Sequence, residues 1–208
     1  ETAPCSPARW SRRPQKAESR AQKRPHCSTL SILQLYRSSR HICKLTVRSM
    51  PDWIDSDSLI TPSRGPYRFS FLPRFWTYLE SKAIDNSIAS SRFVLSEIDS
   101  NGDELAKWAL EVSESFFYDP SAEVQSTYRR VVDSIQGAPR FAPHHIRRFL
   151  KGADPWLIAH AATDGGRVVT FEKAEPLSKK PKIPDVAAMF GVQCINIYDL
   201  LADLGASF

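Results

Sequence analysis

The chain has 208 residues, of which 42% are hydrophobic and 25% charged, and a formal net charge of +5. These values fit a globular domain with an appendage and exclude a wholly disordered chain. No apolar run approaches the ~20 residues that a membrane-spanning helix needs, so we expect no membrane contact.

The positive charge lies at the amino terminus. Residues 1–49 hold 11 Lys and Arg against two acids, whereas residues 50–208 have a net charge of −4. Because residues 1–49 are also rich in Ser and Pro, we predict a basic, disordered extension. Met50 is the first methionine and a strand signal follows it at once, so we expect the native chain to start there. A nucleic-acid-binding arm or a targeting segment is the alternative for residues 1–49.

After Met50, strand and helix signals alternate. An apolar strand is predicted over 51–55, Ser58 is a candidate N-cap for the next helix, and Asp103 is predicted to cap the helix over 103–114. The pattern then predicts, in chain order, a helix over 69–79, a strand over 87–90, helices over 92–98 and 103–114, an extended piece over 116–118, helices over 121–135, 144–150 and 153–162, a strand over 167–171, a helix over 186–190, a strand over 192–197 and a helix over 198–204. This alternation predicts an α/β domain with a mostly parallel sheet and helices on both faces.

Acidic residues lie at or near the ends of several predicted strands. Asp55 ends the first strand and Glu97 lies on the helix after the second, while Asp154 begins the apolar helix LIAHAA and Glu172 ends the strand VVTF. The working site of such sheets lies beyond the carboxyl ends of the strands. Clustered carboxylates there suit Mg²⁺ or Mn²⁺, and such metals activate water for phosphodiester hydrolysis. Acids at strand ends also serve as helix caps and as solvated loop residues, so the spacing alone leaves both roles open.

Four segments resemble motifs of the PIN-domain superfamily of metal-dependent ribonucleases: WIDSDSLI, RFVLSEI, KGADPWLIAHA and RVVTFEK. The similarity is greatest to a PIN-like branch related to VapC-type toxins of toxin–antitoxin pairs, and it covers about residues 52–204. It implies a three-layer α/β/α sandwich with a central, mostly parallel sheet of about five strands. It also implies catalytic roles for Asp55, Glu97, Asp154 and Glu172.

The same resemblance implies the ligands of the metal. Asp55, Asp154 and Glu172 are the expected ligands of Mg²⁺ or Mn²⁺, and the late segment KIPDVAAMFGVQCINIYDLL adds Asp185 near the same edge. The fourth acid is usually Asp in toxin PIN domains and is Glu here, so Asp185 is expected to share or replace the role of Glu172. Three further side chains are expected to bond to these ligands: Asp57, which stands where the superfamily more often has Asn, Ser or Thr, Ser58 and Thr170.

The expected function is phosphodiester hydrolysis of RNA in the cytoplasm, by the toxin of a type II toxin–antitoxin pair. RNA, an antitoxin protein and a second copy of the chain are the expected partners. One alternative is a catalytically inactive PIN-like module that binds RNA or protein. Another is a phosphatase with an aspartyl nucleophile, because Asp55 and Asp57 form a D-x-D pattern after a strand.

Three other features have simpler expected roles. Cys194 is predicted to be a packing thiol in a reducing compartment, since no Cys/His spacing suits zinc. His160, in an apolar helix, is predicted to be a core or interface histidine whose hydrogen bonds are satisfied. The lysines at 179, 180 and 182 are predicted to form a solvated loop, with an RNA contact as the alternative.

Overall fold

The computed structural model describes residues 50–100 and 102–208, and the predictions for residues 1–49 lie outside the described residues. Five strands form one sheet in which every neighbouring pair is parallel, in the order β3–β2–β1–β4–β5. The strands are β1 (Asp52–Ile54), β2 (Ile88–Ser91), β3 (Phe117–Tyr118), β4 (Val168–Val169) and β5 (Cys194–Ile195). With helices covering this sheet, the predicted three-layer α/β/α sandwich with five parallel strands is confirmed.

Ten α-helices lie within the described part of the chain. They are α1 (Asp57–Arg64), α2 (Pro73–Ile84), α3 (Arg92–Asp99), α4 (Glu104–Glu111), α5 (Ser113–Phe116), α6 (Ala122–Gln136), α7 (Pro143–Phe149), α8 (Asp154–Asp164), α9 (Ile183–Ala187), which continues into a 3₁₀ turn (Ala188–Phe190), and α10 (Ile197–Asp203). None of them is both long and apolar enough to cross a membrane. Two begin at capping side chains: Asp103, as predicted, accepts a hydrogen bond from the N–H of Ala106, and Ser121 accepts one from that of Val124.

The prediction that Ser58 caps a helix is wrong. The first helix begins at Asp57, so Ser58 lies inside it and is fully buried. Its hydroxyl donates to the carbonyl of Val169 at 3.1 Å. The chain turns into α1 directly after Asp55, which points Ser58 at β4 and lets its hydroxyl satisfy a carbonyl of the sheet instead of an N–H of the helix.

The strand order reverses direction at β1. From β1 the chain moves to β2 and β3 on one side, then returns to β4 and β5 on the other. The hydrogen bonding between β1 and β4 continues one residue beyond the end of β1, since the N–H of Asp55 donates to the carbonyl of Val169 at 3.0 Å. A reversal of this kind opens a crevice at the carboxyl ends of the two strands, where parallel α/β proteins place their sites.

Helix α8 covers the three middle strands of the sheet. It packs along α6 and against β1, β2 and β4. The residues 157–161 of this helix, LIAHA, are all buried, as expected for a helix enclosed on several sides. Because α8 begins at Asp154, burial of its apolar body holds that carboxyl group at the edge of the sheet.

Candidate functional site

Asp55 follows β1 at the reversal of strand order and is 4% exposed. Its Oδ2 accepts a hydrogen bond from the hydroxyl of Thr170 at 3.0 Å. Burial raises the pKa of Asp55 from its ordinary value of 3.8 to about 7, and the charges of Asp57 and Glu97 add to this shift. The Thr170 hydrogen bond acts in the opposite direction. At neutral pH this carboxyl group therefore titrates instead of being fully ionised.

Asp154 occupies the first turn of α8, where Pro155 follows it. Burial, followed by repulsion from the carboxylates of Asp55, Glu172 and Glu97 in that order, raises the pKa of Asp154 from 3.8 to about 8. A helix amino terminus by itself favours a charged carboxylate. Desolvation and like-charge repulsion exceed that effect here, so four acids from separate segments lie close enough to disfavour each other's ionisation.

Glu97 joins α3 to the start of α8. Its Oε1 accepts a hydrogen bond from the N–H of Ala153 at 2.8 Å. Glu97 thus binds the backbone immediately before Asp154 and holds the two segments together.

Glu172 is held by the loop that follows β4. Its N–H donates to Thr170 Oγ1 at 3.1 Å, so a single hydroxyl connects Asp55 and Glu172. Its two carboxylate oxygens accept hydrogen bonds from Lys182 Nζ at 3.1 Å and from the N–H of Ile183 at 2.8 Å. The side chain is therefore oriented by the start of α9.

Asp185 is buried but has a different task. Its Oδ2 accepts a hydrogen bond from the N–H of Glu175 at 3.0 Å, which fixes the loop between β4 and α9. The carboxylates with the largest effects on Asp154 are those of Asp55, Glu172 and Glu97. The structure thus brings Glu172 into the group, whereas Asp185 supports the loop behind it.

The other predicted residues surround Asp55. Thr170 binds its carboxylate directly, whereas Ser58 contacts Val169 O instead. Asp57 is exposed at the start of α1 and acts on Asp55 through its charge. We use the name acid cluster for Asp55, Glu97, Asp154 and Glu172.

A family model matches residues 53–208, which include the whole acid cluster. The chain belongs to the DUF4411 family, described as a domain of unknown function. No curated protein and no solved structure matches the chain.

The acid cluster of this DUF4411 domain supplies hard oxygen donors of the kind that Mg²⁺ and Mn²⁺ prefer. Asp55 and Asp154 suit such a cation best, because burial and mutual repulsion disfavour the ionised form of both carboxyl groups and a cation would favour it. Glu97 and Glu172 already accept hydrogen bonds from backbone N–H groups. Within residues 50–100 and 102–208, no group of three or more His, Cys, Asp or Glu side chains has an arrangement that could hold a metal ion. The donors are therefore of the type that a divalent cation prefers, but the described residues do not bring three of them together as metal ligands.

A cleft of about 500 Å³ adjoins the cluster beyond β4 and β5 and is lined in part by Thr170, Glu172 and Tyr198. Cys194 also lines it. Burial raises the pKa of this thiol to about 12, and the charges of Asp55 and Glu172 contribute. The thiol is therefore protonated at neutral pH, which does not suit a nucleophile.

Basic residues from two distant segments lie beside the cluster. The N–H of Ala142, which precedes α7, donates to the carbonyl of Lys179 at 2.9 Å, so α7 meets the lysine loop. The positive charge of Lys180 acts both on His145 of α7 and on Asp154. We call this surface the basic rim; it comprises Arg148, Lys180 and Lys182, whose charges act on His145 or on Asp154.

Sequence reasoning found only part of this rim. The lysine run was visible, but nothing local connects it with the HHIRR segment of α7. The backbone contact between Ala142 and Lys179 creates the combined surface, and it joins residues 37 positions apart.

Proposed function

We propose that this DUF4411 domain is a PIN-type ribonuclease that hydrolyses phosphodiester bonds of RNA with Mg²⁺ or Mn²⁺. The proposal rests on one observation above all. Four acids converge at the reversal of strand order, and burial with mutual repulsion raises the pKa of Asp55 to about 7 and that of Asp154 to about 8. Strongly perturbed carboxyl groups grouped at such an edge are typical of catalytic sites.

Each acid has a distinct part in this proposal. Asp55 and Asp154 would hold the cation, with Glu172 beside them and oriented by Lys182 and Ile183. The Thr170 hydroxyl holds Oδ2 of Asp55, and the Ser56 hydroxyl donates to Oδ1 at 3.4 Å. A bound Mg²⁺ or Mn²⁺ supplies Lewis-acid chemistry and lowers the pKa of a water.

Glu97 would orient the attacking water. Its Oε1 remains bonded to Ala153, so the carboxylate keeps a fixed direction while its charge favours the departure of a proton from the water. The hydrogen bonds that hold Glu97 and Glu172 thus preorganise the site before substrate binds.

The basic rim supports RNA as the substrate class. A domain with a net charge of −4 repels polyanions on average, but Lys180 and Lys182 lie within electrostatic range of Asp154. Phosphate contacts by such residues bring the substrate backbone to the acids without reading its sequence.

The proposal extends to the cellular role. We place the activity in the cytoplasm and assign the domain to the toxin of a type II pair, with an antitoxin and a second copy of the chain as partners. The PIN resemblance supports this assignment. Expression of the chain should then arrest growth, whereas expression of Asp55→Asn should not.

The direct test is cleavage of RNA by the full 208-residue chain in Mn²⁺ or Mg²⁺. Replacing Asp55 or Asp154 by Asn removes a charge that the proposed site needs, so we expect a loss of at least about 100-fold in rate. Asp133→Asn, which changes an exposed acid of α6 outside the cluster, is the matched control. Circular dichroism checks that each variant is folded.

Three outcomes would overturn the proposal. Equal cleavage by all variants would show that the acids are not catalytic. Hydrolysis of small phosphomonoesters without cleavage of RNA would favour an aspartyl-nucleophile phosphatase. Absence of cleavage together with weak Mn²⁺ binding would favour an inactive module.

A further inference from the structure

A second cleft lies away from the acid cluster, on the side of the sheet that α6 and α8 cover. Its volume is about 370 Å³, and Trp53, Tyr118, Asp119, His160, Thr163 and Asp164 are among the residues that line it. This volume lies within the range of small-molecule sites. None of the four cluster acids lines it, so it is a separate feature of the domain.

His160 in this cleft departs from its expected role. It is 1% exposed, and its ring stacks on that of Trp53 with centroids 4.3 Å apart and planes inclined by 24°. Nδ1 lies 3.3 Å from Oδ2 of Asp164. Nε2 is buried and has no hydrogen-bond partner among the described residues. The prediction of a fully satisfied histidine is therefore wrong, and leaving such an atom unpaired costs free energy.

The hydrogen bond to Asp164 decides which ring nitrogen has the proton. A carboxylate only accepts, so Nδ1 donates to Asp164 and Nε2 of the neutral ring presents a lone pair. Burial lowers the pKa of His160, which keeps the ring neutral at pH 7. The unpaired atom is thus an acceptor, and its natural partner is a hydrogen-bond donor.

Two carboxylates line the cleft together with this acceptor. Asp119 and Asp164 are carboxylates, and the charge of Asp119 acts on His160, so the two acids face the ring. No Lys or Arg is among the residues that line the cleft in the described part of the chain. Arg92 pairs with Asp119 at 3.7 Å, but both side chains are well exposed and water weakens that pair. The aromatic rings of Trp53 and Tyr118 complete a surface that favours cations.

We propose that this cleft binds a small organic cation with an alkylguanidinium or alkylammonium group. Its N–H donates to Nε2 of His160, and its charge lies near Asp119 and Asp164. The alkyl stem packs against Tyr118 and the apolar lining. The site shares no side chain with the acid cluster, so failure of the proposed ribonuclease activity would not contradict cation binding here, and the reverse also holds.

The test is a titration of the full chain with n-butylguanidinium, in which isothermal titration calorimetry measures the binding. The neutral analogue n-butylurea has the same size and also donates hydrogen bonds. We expect saturable binding of butylguanidinium and at least tenfold weaker binding of butylurea, because the two carboxylates select for charge.

Two variants test the residues. His160→Phe keeps the stack on Trp53 but removes the acceptor, and Asp119→Asn removes one charge at an exposed position. Each should weaken butylguanidinium binding about tenfold. The control Asp133→Asn, at an exposed position of α6, should leave the binding unchanged. If His160→Phe is unfolded by circular dichroism, Asp119→Asn decides.

Absence of saturable binding, equal affinity for the urea, or wild-type affinity in the folded variants would overturn the proposal. In any of these cases the buried Nε2 atom is a feature of the packing of His160 and not part of a ligand site.

Discussion

The two ends of β1 each have a buried aspartate, in opposite electrical environments. Asp52 at the start accepts hydrogen bonds from the N–H, Nε and Nη2 of Arg167 at 2.7–3.0 Å. Asp55, directly after the end, has hydroxyl and backbone donors but no basic side chain as partner among the described residues. A paired carboxylate stabilises the fold. A buried carboxylate without a cation is unfavourable in its ionised form, and a bound cation would stabilise that form. The same residue type is thus structural at one end and available for chemistry at the other.

The pair at the start of β1 should give the largest change in stability. Arg167→Met leaves Asp52 buried without its cation, and we expect the free energy of unfolding to fall by about 3 kcal/mol. Urea denaturation measures it. The control is Arg92→Met, which breaks the exposed Arg92–Asp119 pair and should cost less than about 0.5 kcal/mol. Similar losses in both variants would contradict the contrast.

The acid at the other end should behave in the opposite way. The folded pKa of Asp55, about 7, exceeds its unfolded value of 3.8, so the folded state binds more protons between these values. Without metal, the free energy of unfolding should fall as pH rises from about 4 to 8. Asp55→Asn removes this cost and should stabilise the domain by about 2 kcal/mol at pH 8, within an upper bound of about 4 kcal/mol for a shift of this size.

Thermal or urea unfolding in EDTA at pH 5 and pH 8 measures this effect. Asp154, whose pKa is raised to about 8, should show the same sign when replaced by Asn. Destabilisation of both variants at pH 8 would mean that the two carboxylates already have a stabilising partner.

Adding Mn²⁺ sharpens the comparison. A cation that binds only the folded state stabilises it by mass action, by about 2.7 kcal/mol at 100 times its Kd. We expect the melting temperature of the wild-type chain at pH 8 to rise with Mn²⁺ and that of Asp55→Asn to stay nearly constant. Equal shifts in the two proteins would place the metal elsewhere.

The smallest expected effect concerns the hydroxyl that binds Asp55. Thr170→Val removes a hydrogen bond that favours the charged carboxylate, so the pKa of Asp55 should rise above 7 and stability should fall by about 1 kcal/mol. Carbon-detected NMR titration of the carboxyl group measures the pKa. Ser58→Ala is the control, because its hydroxyl binds Val169 O and should cost similar stability without moving that pKa. A shift in both variants would assign the effect to packing.

Much of the fold was predictable, because its signals are local. The apolar strand before Asp55, the cap at Asp103 and the apolar helix after Asp154 each follow from a few neighbouring residues. Their boundaries agree with the structure within a few positions, whereas the cap assigned to Ser58 failed. Capping depends on where the chain turns, and the contact of Ser58 with β4 comes from a segment 111 residues away.

The candidate site was predictable only as a set of acids. Position at or near strand ends selected Asp55, Glu97, Asp154 and Glu172, and the PIN resemblance added Asp185. No local pattern distinguishes Glu172, which lies in the cluster, from Asp185, which binds the loop. The basic rim and the unpaired nitrogen of His160 were missed for the same reason, since both arise from contacts between distant segments.

The sequence by itself determined the alternation of strands and helices, the separation of charge between residues 1–49 and 50–208, and the acids available at the strand ends. These properties follow from periodicity and composition, which are local. Only the tertiary structure decided that Asp52 meets Arg167 while Asp55 meets other acids. Burial and Coulomb energies depend on distance in space, and the reversal of strand order at β1 sets those distances.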